Sequence, residues 1–347
     1  MKKIFFPIFI LSVLIFVSSC GKDKNEFIPT QTIVKTFGPT IDSVWDSTTL
    51  APVPLPGAPP FPIEKLLASL EKPASKDSVD AEKGGTIILP DDVTVDIPSD
   101  CCIYGGAGGG TAGQPVKGKI EIEVVILRTK GELVSYNKPT IAALQLLTSG
   151  GVALVRATQN GVRVELNTGK KAKIKFKMSN PDAQMTYFFG NQANRTLFDW
   201  SAVTNRDNAR INTWADSSKQ NTGYEIITDR FGWINCDKFN GETNLTNKFC
   251  ATLPDSFTNK NTGVFVIFKD ILSVVRLVGN PATKQFCIPP GYRGLPIGKP
   301  VIVVSVSELN GKYYFAAVET TITEGGLVKM TPINLTLDEL KLKLKGL

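Results

Sequence analysis

The sequence predicts a mainly β protein: a β-sandwich followed by a second β-rich domain with a short C-terminal helix. Three observations carry this. Ala172, Ile174, Phe176 and Met178 alternate with Lys171, Lys173, Lys175 and Lys177, the period of a half-buried strand. The runs GGVALVRAT (150–158) and VRVEL (162–166) flank Asn160-Gly161, two residues that accept the positive φ values of a tight hairpin turn. Thr336-Leu337-Asp338-Glu339 is a capping box, in which the N-cap hydroxyl and the N3 carboxylate each satisfy a free backbone N–H.

The elements follow in order. Residues 1–19 read as a signal peptide: Lys2 and Lys3 precede an apolar run from Ile4 to Phe16, too short to span a bilayer comfortably. Val17-Ser18-Ser19-Cys20 resembles a bacterial lipobox, which implies cleavage before Cys20 and acylation of its thiol and new amine. Each buried methylene of such a chain adds roughly 0.8 kcal/mol of membrane affinity. Residues 20–81 read as a lipidated N-terminus and a Pro-rich stalk, with APVPLPGAPPFP favouring extended polyproline conformations and a short helix at 64–72. Asp42-Ser43-Val44, Asp46-Ser47-Thr48 and Asp77-Ser78-Val79 resemble Bacteroidota O-glycan acceptors, and GKDKNE (21–26) resembles the surface-export tag of their lipoproteins. The expected location is the outer membrane, with the cell surface favoured over the periplasmic face.

The sandwich is placed at 82–180. GGTIILP, VTVDIP and KIEIEVVIL supply its first strands, with Ile120, Ile122 and Val124 on one face and Glu121 and Glu123 opposite. The stretches GGTIILPDDVTVDIPSD, GKIEIEVVIL and TSGGVALVRATQNGVRVEL resemble the β-sandwich module of ankyrins, netrin receptors and zonula occludens proteins in its bacterial form, over residues 82–178. The resemblance implies protein-binding. Some members of the wider group cleave themselves at a His-Phe-Ser site, which this chain cannot do without histidine. The second domain, 181–347, alternates strand-like runs (YEIIT, VFVIF, VIVVSVS, KYYFAAVETT) with polar loops. Its block Gly232-Trp233-Ile234-Asn235-Cys236-Asp237 is similar to one in uncharacterised Bacteroidota lipoproteins.

Composition narrows the chemistry. The 347 residues are 42% hydrophobic and carry a net charge of +7, which falls to +5 with the loss of Lys2 and Lys3. That mild excess is no nucleic-acid footprint. There is no histidine, which removes Ser-His-Asp and Cys-His nucleophiles and every His-ligated metal site. No catalytic residue, metal or cofactor is therefore assigned. Gly108–Gly113 fits G-x-G-x-x-G and Gly113–Lys119 nearly fits a phosphate loop, but a period-two strand follows where both motifs require a helix.

The candidate ligand contacts are Trp200, Trp214 and Trp233, rings able to stack on a sugar if exposed and ordinary core if buried. The favoured disulfide is Cys236–Cys250, closing a loop of about fifteen residues for about 3 kcal/mol. Cys101 or Cys102 with Cys287, or a Cys101–Cys102 bond, are the other pairings. The lysines at 171–177 read as a solvated face or as a site for an anionic partner. The expected partners are the membrane, through the lipid, and a protein or glycan. The function expected is non-catalytic binding or scaffolding at the cell envelope. The alternatives are a glycan-binding surface lipoprotein and a hydrolase using carboxylates among Asp199, Asp207, Asp216, Glu225, Asp229 and Asp237.

Overall fold

The structure, a computed structural model, describes residues 44–47, 59–105, 112–193, 196–203 and 209–347. It is mainly β, as the alternation predicts. Sheet 1 has nine strands. Its path runs β1 (Ser75–Asp80), β5 (Lys119–Leu127), β7 (Gln145–Gln159), β14 (Gly232–Phe239), β10 (Thr186–Gln192), β11 (Phe198–Ala202) and β6 (Ile141–Ala142). β8 (Val162–Leu166) leaves β7 through the Asn160-Gly161 turn and pairs with β4 (Cys102–Tyr104). Asn160 at φ 52° and Gly161 at φ 78° give that turn the left-handed backbone its two residues predict. Sheet 2 runs β12 (Arg210–Ala215), β13 (Thr222–Thr228), β9 (Ala172–Lys177), β3 (Val93–Ile97), β2 (Gly85–Leu89).

Sheets 1 and 2 form the sandwich. Val95, Ile174 and Phe176 from one, and Ile120, Ile122, Val155 and Ile234 from the other, are wholly buried between them. The boundary expected at 180/181 falls inside this unit. β9 pairs along its length with β13, and β7 with β14, so the sandwich runs on to Phe239. Alternation marks a strand and its buried face; it does not say which distant strand lies beside it.

The remaining chain makes an eight-stranded sheet 3: β23 (Leu327–Lys329), β16 (Cys250–Thr252), β19 (Gln285–Cys287), β18 (Val274–Asn280), β17 (Thr262–Phe268), β21 (Pro300–Leu309), β22 (Lys312–Thr321), β24 (Ile333–Leu335). A two-stranded clip joins β15 (Leu245–Thr246) to β20 (Leu295–Pro296). Every residue of β17 is buried. Phe265 and Ile267 pack towards sheet 1, while Val264, Val266 and Phe268 enter a third core with Phe249, Phe286 and Val328. That two-sided burial explains why VFVIF is a continuous apolar run and not an alternating one.

Three helices border the seam between sheets 1 and 3. α1 (Pro62–Leu70) buries Ile63, Leu66, Leu67 and Leu70. Its first residue is a proline, whose missing N–H costs nothing in the first turn. α2 (Lys130–Ser135) and α3 (Leu337–Lys345) carry capping boxes, Thr129/Glu132 and the expected Thr336/Glu339. α3 buries Leu340 and Leu344 and lies on α2, so tightly that a Cβ on Gly131 would stand 1.9 Å from the Leu344 carbonyl oxygen.

The stalk expected over 20–81 is correspondingly shorter. α1 and β1 belong to the folded body. Further back, the Trp45 ring sits 5.1 Å from that of Phe286, and Asp46 exchanges two hydrogen bonds with the Asn259 amide, at 2.9 and 2.6 Å. Ser78 is exposed within β1 and not in a linker. Among the described residues, no helix is long and apolar enough to cross a membrane.

Candidate functional site

The three candidate tryptophans do not form a platform. Trp200 is 1% exposed, and its Nε1 donates to the Pro139 carbonyl at 2.8 Å. Trp233, half-buried, packs with Phe198 and Tyr136 at the seam. Trp214 lies on β12 in sheet 2, donates to the Tyr224 carbonyl at 3.1 Å and has Lys175 Nζ 5.1 Å above its ring. Composition alone marks tryptophans as candidate contacts; strand phase and sheet membership send these three to different places.

The expected Cys236–Cys250 bridge is also replaced. Cys236 is unpaired and buried in the first core, where burial first and Asp237 second hold its thiol well above the ordinary range. Cys250 faces Cys287 across the β16–β19 pair and bonds to it, while Cys101 bonds Cys102. Loop length favours the nearer cysteine in sequence; strand register selects the partner. The Cys250–Cys287 bond closes a separation of 37 residues, for which loop entropy gives about 4 kcal/mol. Cys20, Asp207 and the glycine run at 106–111 lie outside the described residues.

The lysines of β9 are compensated. Lys177 Nζ is 2.6 Å from Asp92, Lys173 stands opposite Asp96 in register and Lys175 opposite Glu225. This supports the solvated-face reading over a site for an anion. The second-half carboxylates are occupied locally. Asp216 closes a turn by accepting from Ser218, Gln220 and Asn221, and these bonds hold its carboxyl below the usual range against a desolvation that raises it. Asp229 pairs with Arg230 at 2.8 Å, and Glu225 accepts from Asn212 at 3.2 Å. Burial raises Asp199.

The seam between sheets 1 and 3 holds unusual polar groups. Lys138 is 7% exposed, with Nζ 3.8 Å from the Phe198 ring centroid and 4.5 Å from that of Trp233. Burial pushes its pKa down to about 7, with Glu71 opposing the shift and Arg156 adding to it; the π faces also favour the charged form. Arg276 is 4% exposed and donates to the Thr196 carbonyl at 3.2 Å. Asp237 is wholly buried, accepts from Asn235 Nδ2 at 2.6 Å and is raised well above the carboxylate range, first by desolvation. These groups are enclosed by the fold.

The open feature of the seam is a pocket of about 150 Å³ where three segments meet: the start of β7, the turn after β14 and the loop entering β20. Backbone hydrogen bonds lock the segments together: Asn240 N to Leu146 O at 2.9 Å, Arg293 N to Leu144 O at 3.0 Å and Ile297 N to Asn244 O at 2.9 Å. The β15–β20 clip closes the base. Gly294, at φ 130°, admits no side chain, because a Cβ would stand 2.4 Å from the Thr246 carbonyl oxygen. Leu146, Leu245 and Pro296 supply apolar wall; Gln145, Asn240, Thr243 and Arg293 supply polar groups. Asn240 donates to Thr148 Oγ1 at 3.2 Å, while its buried Oδ1 has no partner. Arg293 is exposed and forms no ion pair among the described residues. Glu242, also at the rim, is engaged by Lys299 at 2.7 Å. In the sequence, Asn240 and Arg293 fall between the strand-like runs of the second half, and nothing local says that they meet.

Among the described residues, no group of three or more Cys, Asp or Glu is placed to hold a metal. No protein-family model, curated protein or solved structure matches the chain.

Proposed function

We infer that this protein is a non-catalytic binding or scaffolding lipoprotein of the outer membrane, held by acylation of Cys20. The observation that carries the binding role is the seam pocket: a recess held by backbone hydrogen bonds, at which the fold leaves the Gln145, Thr243 and Arg293 side chains unused. Pre-organised groups cost little entropy on binding, so such a site is adapted to hold a ligand. The likeness of residues 82–178 to the ankyrin and netrin-receptor sandwich points the same way, towards contact through loops. The lysine-first signal and the Val17-Ser18-Ser19-Cys20 sequence support the anchor.

Metabolic labelling with a palmitate analogue tests the anchor, and protease treatment of intact cells tests the display. The wild-type chain takes up label and fractionates with the outer membrane, and Cys20→Ala does neither. Surface display predicts that intact cells are shaved. Equal membrane retention and no labelling of either chain would overturn the lipoprotein reading.

A further inference from the structure

The seam pocket limits what can fill it. At about 150 Å³ it is below the roughly 300–1,000 Å³ of sites for drug-sized ligands, so one small unit enters, either free or as the end of a chain. Its free groups are mixed in kind. The Arg293 guanidinium donates only, and Gln145 and Thr243 both donate and accept, while Asn240 lines the wall with its Oδ1 buried beneath it. Glu242 at the rim, already paired with Lys299, disfavours a bare anion close by. The rest of the lining is aliphatic, and Leu144, beside Gln145, is 51% exposed.

Elsewhere on the surface, comparable polar side chains spend themselves on their own turns. Asp216 takes bonds from three neighbours, and Asp80 accepts from the Glu82 and Lys83 backbone N–H groups. In the pocket, the Gln145, Thr243 and Arg293 side chains have no such partner among the described residues. A ligand that alternates donors and acceptors and also offers a C–H face matches this set, and vicinal hydroxyls on a pyranose ring have that chemistry. Planar amide and guanidinium groups read such hydroxyls in pairs.

We propose that the recess lined by Gln145, Asn240, Thr243 and Arg293 binds a single neutral sugar residue, free or at the end of a glycan. This rests on the reading of the protein as a binding lipoprotein and names the ligand of the same pocket.

The test uses the detergent-solubilised full chain and saturation-transfer NMR with glucose, galactose, mannose and N-acetylglucosamine, beside a second panel of acetate, phosphate and glycine. At least one sugar shows transfer. Arg293→Ala and Thr243→Val, both exposed positions that leave the fold intact, each weaken it about tenfold, and Lys177→Ala on sheet 2 leaves it unchanged. Binding confined to the second panel overturns the sugar assignment and leaves the binding role standing. Silence in both panels overturns the sugar assignment and removes the pocket as support for the binding role. Sugar binding that all three variants preserve places the site elsewhere and overturns the proposal.

Discussion

The two cores that flank sheet 1 are built differently. The core facing sheet 2 includes strands that alternate strictly, β3 and β9, and its members are nearly all aliphatic or aromatic, with Phe176, Ile174 and Val155 fully enclosed. The core facing sheet 3 is assembled from α1, α2, α3 and strands of both halves. Beside its apolar cluster sit Lys138, Arg276 and Asp237. Cross-links tie it: Ser149 N to Leu272 O at 3.0 Å, Thr140 N to Val274 O at 2.8 Å and Ser273 Oγ to Leu147 O at 2.5 Å. The lesson is one of specificity. An apolar core accepts many arrangements of similar volume, whereas a hydrogen-bonded seam accepts one placement of its two sides. The pocket exists because that placement is unique.

Truncation in the first core sharpens the contrast most. Phe176→Ala removes a wholly buried ring and is expected to cost about 3–5 kcal/mol in denaturant unfolding. A loss below about 1 kcal/mol would show that this core tolerates voids, and the comparison would fail.

The seam is expected to respond with the opposite sign. Lys138→Met replaces a buried amine by an apolar chain of similar length and is expected to raise stability at pH 6 by about 1–4 kcal/mol. The sign follows from linkage. With its pKa lowered from 10.5 to about 7 in the folded protein, Lys138 binds its proton more weakly there than in the unfolded chain. Stability is therefore depressed below about pH 7 and recovers as pH rises towards 10.5. Lys138→Met removes that slope. A destabilised Lys138→Met at pH 6 would instead show that the contacts with Phe198 and Trp233 outweigh the cost of burying the amine.

Asp237→Asn gives the smallest change. The carboxyl is raised by burial, so its favourable contribution is complete below about pH 4 and is lost as pH rises through the folded-state value. The neutral amide flattens that fall and adds about 1–3 kcal/mol at pH 8. An unchanged pH profile would mean that Asp237 does not titrate with unfolding.

Period-two alternation made β9 and its buried face legible from Ala172 to Lys177, and Asn160-Gly161 made the β7–β8 hairpin legible, because both signals arise within a few residues. The C-terminal helix was legible for the same reason. The 180/181 boundary failed because β9 takes its neighbour from about fifty residues away. The Cys236 pairing failed likewise, and the burial of Trp200 was hidden for the same reason. For the pocket, Asn240 and Arg293 were visible only as loop residues.

By itself the sequence determined the local objects: mainly β structure, the hairpin, the capped C-terminal helix and the chemistry that absent histidine excludes. These depend on backbone preferences and side-chain order over short range. Only the tertiary structure decided that residues 75–239 form one sandwich, that Cys250 meets Cys287, that Trp200 is core and that three turns enclose a polar recess. Those outcomes depend on which strands pair and which faces pack, and burial rewards them only after segments distant in the chain have been brought together.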